Sequence, residues 1–89
     1  MIVEFDKSFS KSLQKIKDFA TLLKAEKAIL LLEEAKSLTA VPQCKKMSGY
    51  KRYYRIRIGE YRLGLEKTGH NIVRLIIIAH RRDIYQYFP

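Results

Sequence analysis

Three arginines are predicted to gather on one face of a β-hairpin in the C-terminal half of the chain. Basic and apolar residues alternate from Tyr53 onward, and Gly59-Glu60 has the composition of a two-residue type II′ turn. This turn sets Arg57 opposite Arg62 and brings Arg55 to the same face, beside Tyr53. Because like charges directly opposite each other destabilise a sheet, the pattern predicts that a polyanion completes the site.

A basic face with an aromatic ring on it suits single-stranded RNA, since bases stack on the ring while phosphates are neutralised. The simpler interpretation is an ordinary solvated sheet face, partly neutralised by Glu60 and Glu66. For any single arginine that interpretation is preferable, but three arginines with Tyr53 favour RNA binding. Gly64, opposite Arg55, is expected to leave room for a ligand backbone.

A second group of candidate residues follows the last predicted strand. His80 can act as an acid or base near neutral pH, and Tyr85 can donate a proton. The alternative is that His80 is a hydrogen-bonding surface residue, whereas Tyr87 and Phe88 are expected to serve as packing groups. Arg81 and Arg82 stand between these candidates in the chain, so the segment combines cations with proton-transfer groups.

The spacing of apolar residues predicts the elements that position both groups. We predict an α+β fold in which an N-terminal strand and a helical hairpin pack on a mostly antiparallel four-stranded sheet, with a short C-terminal helix. Asp6 is expected to cap the first helix, whose apolar positions run to Phe19 or Ala20. The boundary between the two helices stays open, because no Gly or Pro marks it. The other predicted segments are a second helical stripe over 25–35, a basic connector over 43–49 and strands at 53–58, 61–66 and 72–79.

Length and charge indicate one basic domain, 1–89, with an anionic partner. The net charge is +9; nine basic and six acidic residues up to Ser48 give +3, and nine basic and three acidic residues after it give +6. A simpler interpretation is that the positive charge keeps the protein soluble, which explains the lysine-rich first half of the chain better than the second. The single Cys44 excludes an internal disulfide, and no zinc spacing or long apolar run occurs. We expect a cytoplasmic protein without a metal, a cofactor or a membrane partner.

Two C-terminal segments together resemble the RelE/ParE superfamily. The run from Lys51 to Gly64 is similar to the central hairpin of RelE-type toxins, and the run from His80 to Pro89 is similar to their C-terminal signature. The opening Phe5–Phe9, followed by two helices, agrees with the same family, so the resemblance spans nearly the whole chain. It implies a toxin of a type II toxin–antitoxin pair, held inactive by a co-expressed antitoxin protein.

The resemblance also implies a reaction and a set of site residues. RelE-like toxins enter the ribosomal A site and cut messenger RNA by attack of a 2′-hydroxyl on the adjacent phosphodiester, without a metal. Arg62 and Arg81 resemble the arginines that stabilise the transition state, Arg55 occupies the place of a catalytic lysine, and Tyr85 matches the tyrosine of the C-terminal signature. Further RNA contacts are expected from Tyr53, Arg57, Lys51, Arg52, Arg82, Lys45 and Lys46.

The chain departs from the ribonuclease pattern at the proton-accepting positions. Tyr53 stands where the well-studied ribonuclease has a lysine, and Arg55 is too basic to accept a proton readily. His80 and Tyr85 are the remaining candidates for the base. Since ParE-like relatives share the fold but inhibit DNA gyrase, the alternatives are a gyrase inhibitor or a non-catalytic RNA-binding protein. Expected partners are the antitoxin, messenger RNA and the ribosome, with a higher-order toxin–antitoxin complex as a further expectation.

Overall fold

Two helices cover one face of a five-stranded sheet in the computed structural model, which describes all residues from Met1 to Pro89. The strand order is β1-β5-β4-β3-β2, with β1 parallel to β5 and every other pair antiparallel. The elements are β1 (Ile2–Phe5), α1 (Lys7–Gln14), α2 (Phe19–Glu34), a 3-10 helix (Leu38–Ala40), β2 (Cys44–Lys46), β3 (Tyr53–Ile58), β4 (Tyr61–Gly69), β5 (Ile72–His80) and α3 (Ile84–Tyr87). The predicted α+β class and helical hairpin are confirmed.

The prediction of four strands was wrong, because the basic connector contains a strand of its own. Cys44–Lys46 forms β2 and pairs antiparallel with β3, with Lys45 opposite Arg55 and Lys46 opposite Tyr54. Three residues are too few to show an alternating pattern, and the pairing depends on unpaired backbone groups along the edge of β3. The correction matters for the site, since it brings Lys45 to the same face as Arg55.

The start of α1 is held by Asp6, as predicted. Its carboxylate accepts hydrogen bonds from the backbone N–H of Ser8 at 3.2 Å and from the Ser8 hydroxyl at 2.6 Å. Arg74 on β5 donates to the same carboxylate at 2.9 Å. The Ser8 and Arg74 hydrogen bonds lower the pKa of Asp6 to about 2. This capping residue therefore also ties α1 to the sheet.

The two helices are separated by residues 15–18, earlier than the apolar stripe indicates. Ile16 is buried in the segment between the helices, but Phe19 begins α2 and is 70% exposed. Asp18 precedes α2 and accepts a hydrogen bond from the Thr21 hydroxyl, and Asp is a preferred residue at this position. Asp18 was therefore the available signal for the boundary. No helix in the structure combines the length and apolar character that crossing a membrane requires.

The hairpin register agrees with the prediction at every pair near the turn. Ile58 lies opposite Tyr61, Arg57 opposite Arg62, and Arg55 opposite Gly64. The apolar positions of the hairpin face the helices and join a core of 14 buried residues, while Tyr54 and Tyr61 pack at its margin. The arginines consequently lie on the face that the helices leave open.

The C-terminal segment folds back over part of this open face. Ile84 and Phe88 are buried outside the main core, at 1% and 3% exposure. The Phe88 ring lies on Gly64, where an added Cβ would meet three ring carbons at 2.7–2.8 Å. The expectation that Gly64 leaves room for a ligand was therefore wrong. Gly64 makes room for the chain's own Phe88.

Candidate nucleic-acid interface

Four guanidinium groups collect where the β3–β4 hairpin turns. Arg57 and Arg62 face each other across the two strands, Arg55 lies two residues along β3, and Arg81 directly follows β5. Arg62 bends back over the turn, and its Nη1 donates to the carbonyls of Gly59 at 2.8 Å and Tyr61 at 2.9 Å. These bonds hold Arg62 in place. We call Arg55, Arg57, Arg62 and Arg81 the arginine cluster.

The charges of the arginine cluster act on one another. Burial lowers the pKa of Arg62, and so do the positive charges of Arg57, Arg55 and Arg81, whereas Glu60 opposes the shift. The guanidinium remains charged at neutral pH because arginine titrates far above it. The lowered pKa therefore reports a strongly positive environment, in which an anion is stabilised by several cations at once.

Glu60 in the turn positions Arg81. The backbone N–H of Arg81 donates to the Glu60 carbonyl at 2.8 Å, and Arg81 Nε lies 2.9 Å from a Glu60 carboxylate oxygen. Both side chains are more than half exposed, so this ion pair contributes little to stability. Arg81 can therefore exchange the carboxylate for a phosphate. From the sequence, Glu60 was expected only to neutralise charge, because its contact with residue 81 depends on the pairing of β4 with β5.

Helix α3 carries Tyr85 to the edge of the arginine cluster. The Cζ atom of Arg55 lies 5.8 Å from the centre of the Tyr85 ring, which is a cation–π distance. Tyr85 is half exposed. Lys45 on β2 lies beside Arg55 in the sheet and is also exposed. A phenolic hydroxyl, an additional cation and the arginine cluster thus share one solvent-accessible surface.

His80 belongs to the other face of the sheet. It pairs with Tyr61 at the end of β5, and the two rings lie 5.7 Å apart at 74°. Its Nδ1 accepts a hydrogen bond from the backbone N–H of Arg82 at 3.2 Å. Arg62 and its neighbour Ala79 point to the opposite side, since successive residues of a strand alternate. The structure therefore does not bring His80 into the arginine cluster.

The other predicted RNA-binding residues are spread over the surface. Lys51 and Arg52 are exposed before β3, so Arg52 lies roughly 17 Å along the strand from Arg57 at about 3.3 Å per residue. Lys46 lies on the same side of the sheet as Tyr54, and Arg82 is exposed after β5. Within this group, Arg57 belongs to the arginine cluster and Lys45 lies opposite Arg55 in the sheet.

Tyr53 lies within an aromatic group that the sequence did not reveal. Its ring makes edge contacts with Tyr50 at 5.6 Å and with Phe88 at 5.5 Å. Tyr53 is half-buried as a result. The signal for this group was present in the alternation, which puts Tyr53 and Gly64 on the same face, but the return of Phe88 could not be read from spacing.

The remaining reactive groups do not form a metal site or a nucleophile. No three His, Cys, Asp or Glu side chains come together in a way that could hold a metal ion. Burial raises the pKa of the Cys44 thiol to about 11, so the thiol is protonated at neutral pH. Arg74 is bound by Asp6 and lies 3.9 Å from Glu4, which leaves it outside the arginine cluster.

Known proteins share this fold and sequence. The model of the family described as ParE toxin of type II toxin-antitoxin system, parDE, matches residues 3–85. Toxin RelE3 of Methanocaldococcus jannaschii is 36% identical over 93 residues, covering 100% of both chains. A chain of the RelB–RelE antitoxin–toxin complex from Methanococcus jannaschii superposes with a TM-score of 0.81 at 34% identity, covering 97% of this chain and 99% of that one. The isolated RelE toxin of E. coli has the same fold, with a TM-score of 0.68 at 20% identity and coverage of 96% and 90%.

Proposed function

The chain belongs to the RelE/ParE superfamily of toxins from type II toxin–antitoxin systems, and we propose that it is a ribosome-dependent endoribonuclease that cuts messenger RNA and thereby stops translation. The observation that carries this proposal is the arginine cluster, where Arg57 and Arg62 oppose each other without an intervening anion of the protein. We propose that residues 1–89 act as one toxin domain in the cytoplasm, where messenger RNA is translated.

The proposed reaction is an in-line transfer within the RNA. The 2′-hydroxyl loses its proton to solvent water and its oxygen bonds to phosphorus, while the bond from phosphorus to the 5′-oxygen breaks; the products are a 2′,3′-cyclic phosphate and, once the 5′-oxygen has taken up a proton, a 5′-hydroxyl. The phosphorane carries more negative charge than the diester, and fixed cations stabilise such charge best where it develops. Arg62, held at the turn by two carbonyls, and Arg81, able to leave Glu60, are assigned this role. Arg55 adds a third cation.

Tyr85 is the group we assign to proton transfer. Its ring is held against Arg55, and a phenol can deliver a proton to the departing 5′-oxygen. Arg55 itself has no lone pair with which to accept a proton under these conditions. His80 lies across the sheet beside Tyr61. The separation of the two candidates by the sheet is the reason for preferring Tyr85.

The remaining basic residues are proposed to hold messenger RNA and the ribosome. They surround the arginine cluster at increasing distance, so each contributes mainly through charge neutralisation of phosphates. The proposed contact residues outside the cluster are Lys45, Lys46, Lys51, Arg52 and Arg82, together with Arg57 of the cluster itself and the aromatic Tyr53. Binding to the ribosome is therefore expected to weaken steeply with salt.

A co-expressed antitoxin is proposed to inhibit the toxin. The relatives from Methanococcus jannaschii and E. coli were solved as complexes of RelE with RelB. An acidic segment that covers the arginine cluster would attract this basic toxin and exclude RNA from the same surface. Assembly into a higher-order toxin–antitoxin complex is part of the same proposal.

Gyrase inhibition is the second candidate, and one observation favours it. The family model that matches the chain is that of the ParE toxins. A toxin that only binds, whether to gyrase or to RNA, needs the basic surface but not the hydroxyl of Tyr85. The toxicity of a ribonuclease should therefore depend on the Tyr85 hydroxyl, whereas the toxicity of a protein that only binds should not.

Mapping of RNA 5′ ends after induction tests the proposal, both in cells and on purified ribosomes. We expect new 5′ ends within translated codons for the wild type and none for Arg62→Ala. The control is Lys36→Ala, which removes one positive charge from an exposed position after α2. A gyrase supercoiling assay runs in parallel. Loss of gyrase supercoiling activity without new RNA 5′ ends would contradict the ribonuclease proposal and support gyrase inhibition.

A further inference from the structure

A cavity of about 530 Å³ lies between α1 and α3 along the outer edge of β5. Strand β1 pairs only with Ile72–Leu75, so the rest of β5 has α1 rather than a strand at this edge. The Ser8 hydroxyl proton is shared between the Asp6 carboxylate and the Ile76 carbonyl, and the Ser12 hydroxyl accepts from the Ile78 N–H at 3.0 Å. Since these edge groups already have partners, the cavity is not a template for a further strand.

The cavity combines cations on one wall with rings on another. Helix α1 contributes Lys11, and Lys15 follows directly at the C-cap of the helix; the two lie four residues apart and form no ion pair. The sheet contributes Tyr61 and His80, and α3 contributes Tyr87. A volume of this size is typical of small-molecule and cofactor sites. The pairing of ammonium groups with aromatic rings suits a ligand that has both an anionic group and a flat ring.

Two contacts fix the orientation of the His80 ring in the wall of the cavity. Its Nδ1 accepts a hydrogen bond from the Arg82 N–H, so a neutral His80 ring carries its proton on Nε2. The edge contact with Tyr61 holds the ring plane. Asp83 is the single carboxylate of the lining and can accept from an N–H group of a base. The cavity thus offers both a donor and an acceptor.

The cavity and the arginine cluster meet at the end of β5. His80 lines the cavity, and the next residue, Arg81, is attached to Glu60 in the hairpin turn. Ala79, which shares the open face with Arg62, also lines the cavity, whereas His80 lies on the face that the helices cover. The cavity is therefore at the edge between the two faces, and an RNA strand that passes around this edge can occupy both sites.

We propose that this cavity binds one nucleotide of the RNA strand whose neighbouring phosphate lies on the arginine cluster. Lys11 and Lys15 neutralise the phosphate of this nucleotide, and its base stacks against the exposed ring of Tyr87. This inference rests on the proposed function, because it takes RNA as the substrate. An antitoxin segment is the competing occupant, but one that added as a β-strand would find the Ile76 carbonyl and the Ile78 N–H already bonded to Ser8 and Ser12.

The test measures binding of the full-length toxin to a six-nucleotide 2′-O-methyl RNA, which has no attacking hydroxyl and is not cut. In Lys11→Ala/Lys15→Ala we expect the slope of log affinity against log salt to fall by about 0.7, the value for one phosphate contact on a single strand. Lys27→Ala/Lys36→Ala removes the same charge from exposed positions outside the cavity and should leave the slope unchanged.

A second variant tests the stacking. Tyr87→Ala should weaken binding by roughly fivefold to a hundredfold, as loss of one base–aromatic stack does. Tyr87 is 66% exposed, so the fold should tolerate its loss, and Phe19→Ala removes a similarly exposed ring from α2 as the control. Equal effects of Tyr87→Ala and Phe19→Ala on RNA affinity would overturn the assignment.

Other outcomes separate this inference from the proposed function. If Lys11→Ala/Lys15→Ala weakens antitoxin binding but not RNA binding, the cavity belongs to the antitoxin and the inference is wrong. A slope unchanged from the wild type also refutes it, even if ribosomal cleavage is normal. If ribosomal cleavage fails in the wild type while the cavity variants behave as expected, the nucleotide site stands and the ribonuclease proposal does not.

Discussion

Arg57 and Arg62 face each other across the hairpin although both side chains are charged. Such a pair is unfavourable in an isolated sheet, and here Arg62 is partly compensated by the carbonyls of Gly59 and Tyr61. The alternation of residues and the turn composition were sufficient to predict this pair. The position of Glu60 against Arg81 was not predictable, because it depends on how β5 approaches the turn.

Replacement of Arg62 should separate stability from activity. In Arg62→Ala the repulsion of Arg57 is relieved while two hydrogen bonds are lost, so the free energy of unfolding should change by less than about 1 kcal/mol. Cleavage on ribosomes should fall about a hundred- to thousand-fold, the usual effect of removing one transition-state donor. Urea unfolding and single-turnover cleavage measure the two quantities. A folded variant with full activity would remove Arg62 from the mechanism.

The hydroxyl of Tyr85 is expected to matter more than the imidazole of His80 for the chemical step. Tyr85→Phe keeps the ring that contacts Arg55 and removes only the oxygen, so cleavage should slow about a hundred- to ten-thousand-fold. His80→Ala should change RNA affinity and leave the single-turnover rate at saturating ribosomes nearly unchanged. The reverse order of effects would make His80 the proton-transfer group. Wild-type rates in both variants would leave catalysis to arginine charge alone.

Among the helices and strands, sequence periodicity predicted the features that depend on residues close together in the chain. It missed those that depend on contacts between residues far apart in the chain. The β3–β4 register follows from alternation around Gly59-Glu60 and is confirmed. Strand β2 was missed because three residues are too few to show an alternating pattern. The start of α2 was missed because Asp18 is its only signal in the sequence. The contact between Phe88 and Gly64 joins two residues far apart in the chain, so no local sequence pattern predicts it.

A methyl group at position 64 should displace the C-terminal segment. In Gly64→Ala the new Cβ would overlap the Phe88 ring, and overpacking of this kind costs about 1–3 kcal/mol. We expect a lower melting temperature and, because α3 carries Tyr85, slower cleavage. Phe88→Leu alone serves as the control, and Gly64→Ala/Phe88→Leu should recover part of the loss. Unchanged stability in Gly64→Ala would show that Phe88 does not rest on Gly64 in solution.

The cap of α1 should make stability depend on pH in the acid range. Because Ser8 and Arg74 lower the folded-state pKa of Asp6 from 3.8 to about 2, the unfolded chain binds the proton more readily. The stabilisation is therefore complete above about pH 4 and is lost as the pH falls through 2. Urea unfolding between pH 6 and pH 2 should show a weaker dependence in Asp6→Asn, whereas Glu26→Gln should follow the wild type. Identical curves for Asp6→Asn and wild type would contradict this account.

For the whole molecule, the net charge of +9 and the open sheet face determine how the toxin meets its partners. The helices occupy one side of the sheet, which leaves the arginine cluster open on the other, where we propose that RNA and antitoxin compete. The sequence was enough to predict this distribution of charge, since the alternating strands fix which residues point away from the core. It could not show that the cavity beside α1 adjoins the arginine cluster.

Induced expression is expected to arrest growth, and co-expression of the cognate antitoxin should restore it, because we propose that the antitoxin covers the arginine cluster. Colony counts after induction measure both effects. Arg62→Ala should be harmless at equal soluble level, and Lys36→Ala should be as toxic as the wild type. Normal growth with abundant soluble wild-type toxin would contradict the proposed activity in that host.

The parallel pairing of β1 with β5 has a consequence for the order of events during synthesis. Ile2 pairs with Ile72, so β1 can pair only after the chain has been synthesised about 70 positions further. Contacts with such separation form late, and they cannot form before both segments have left the ribosome. Arg81 follows β5 and takes its position only after that strand. The proposed activity is therefore absent from each new copy until most of its chain has been translated.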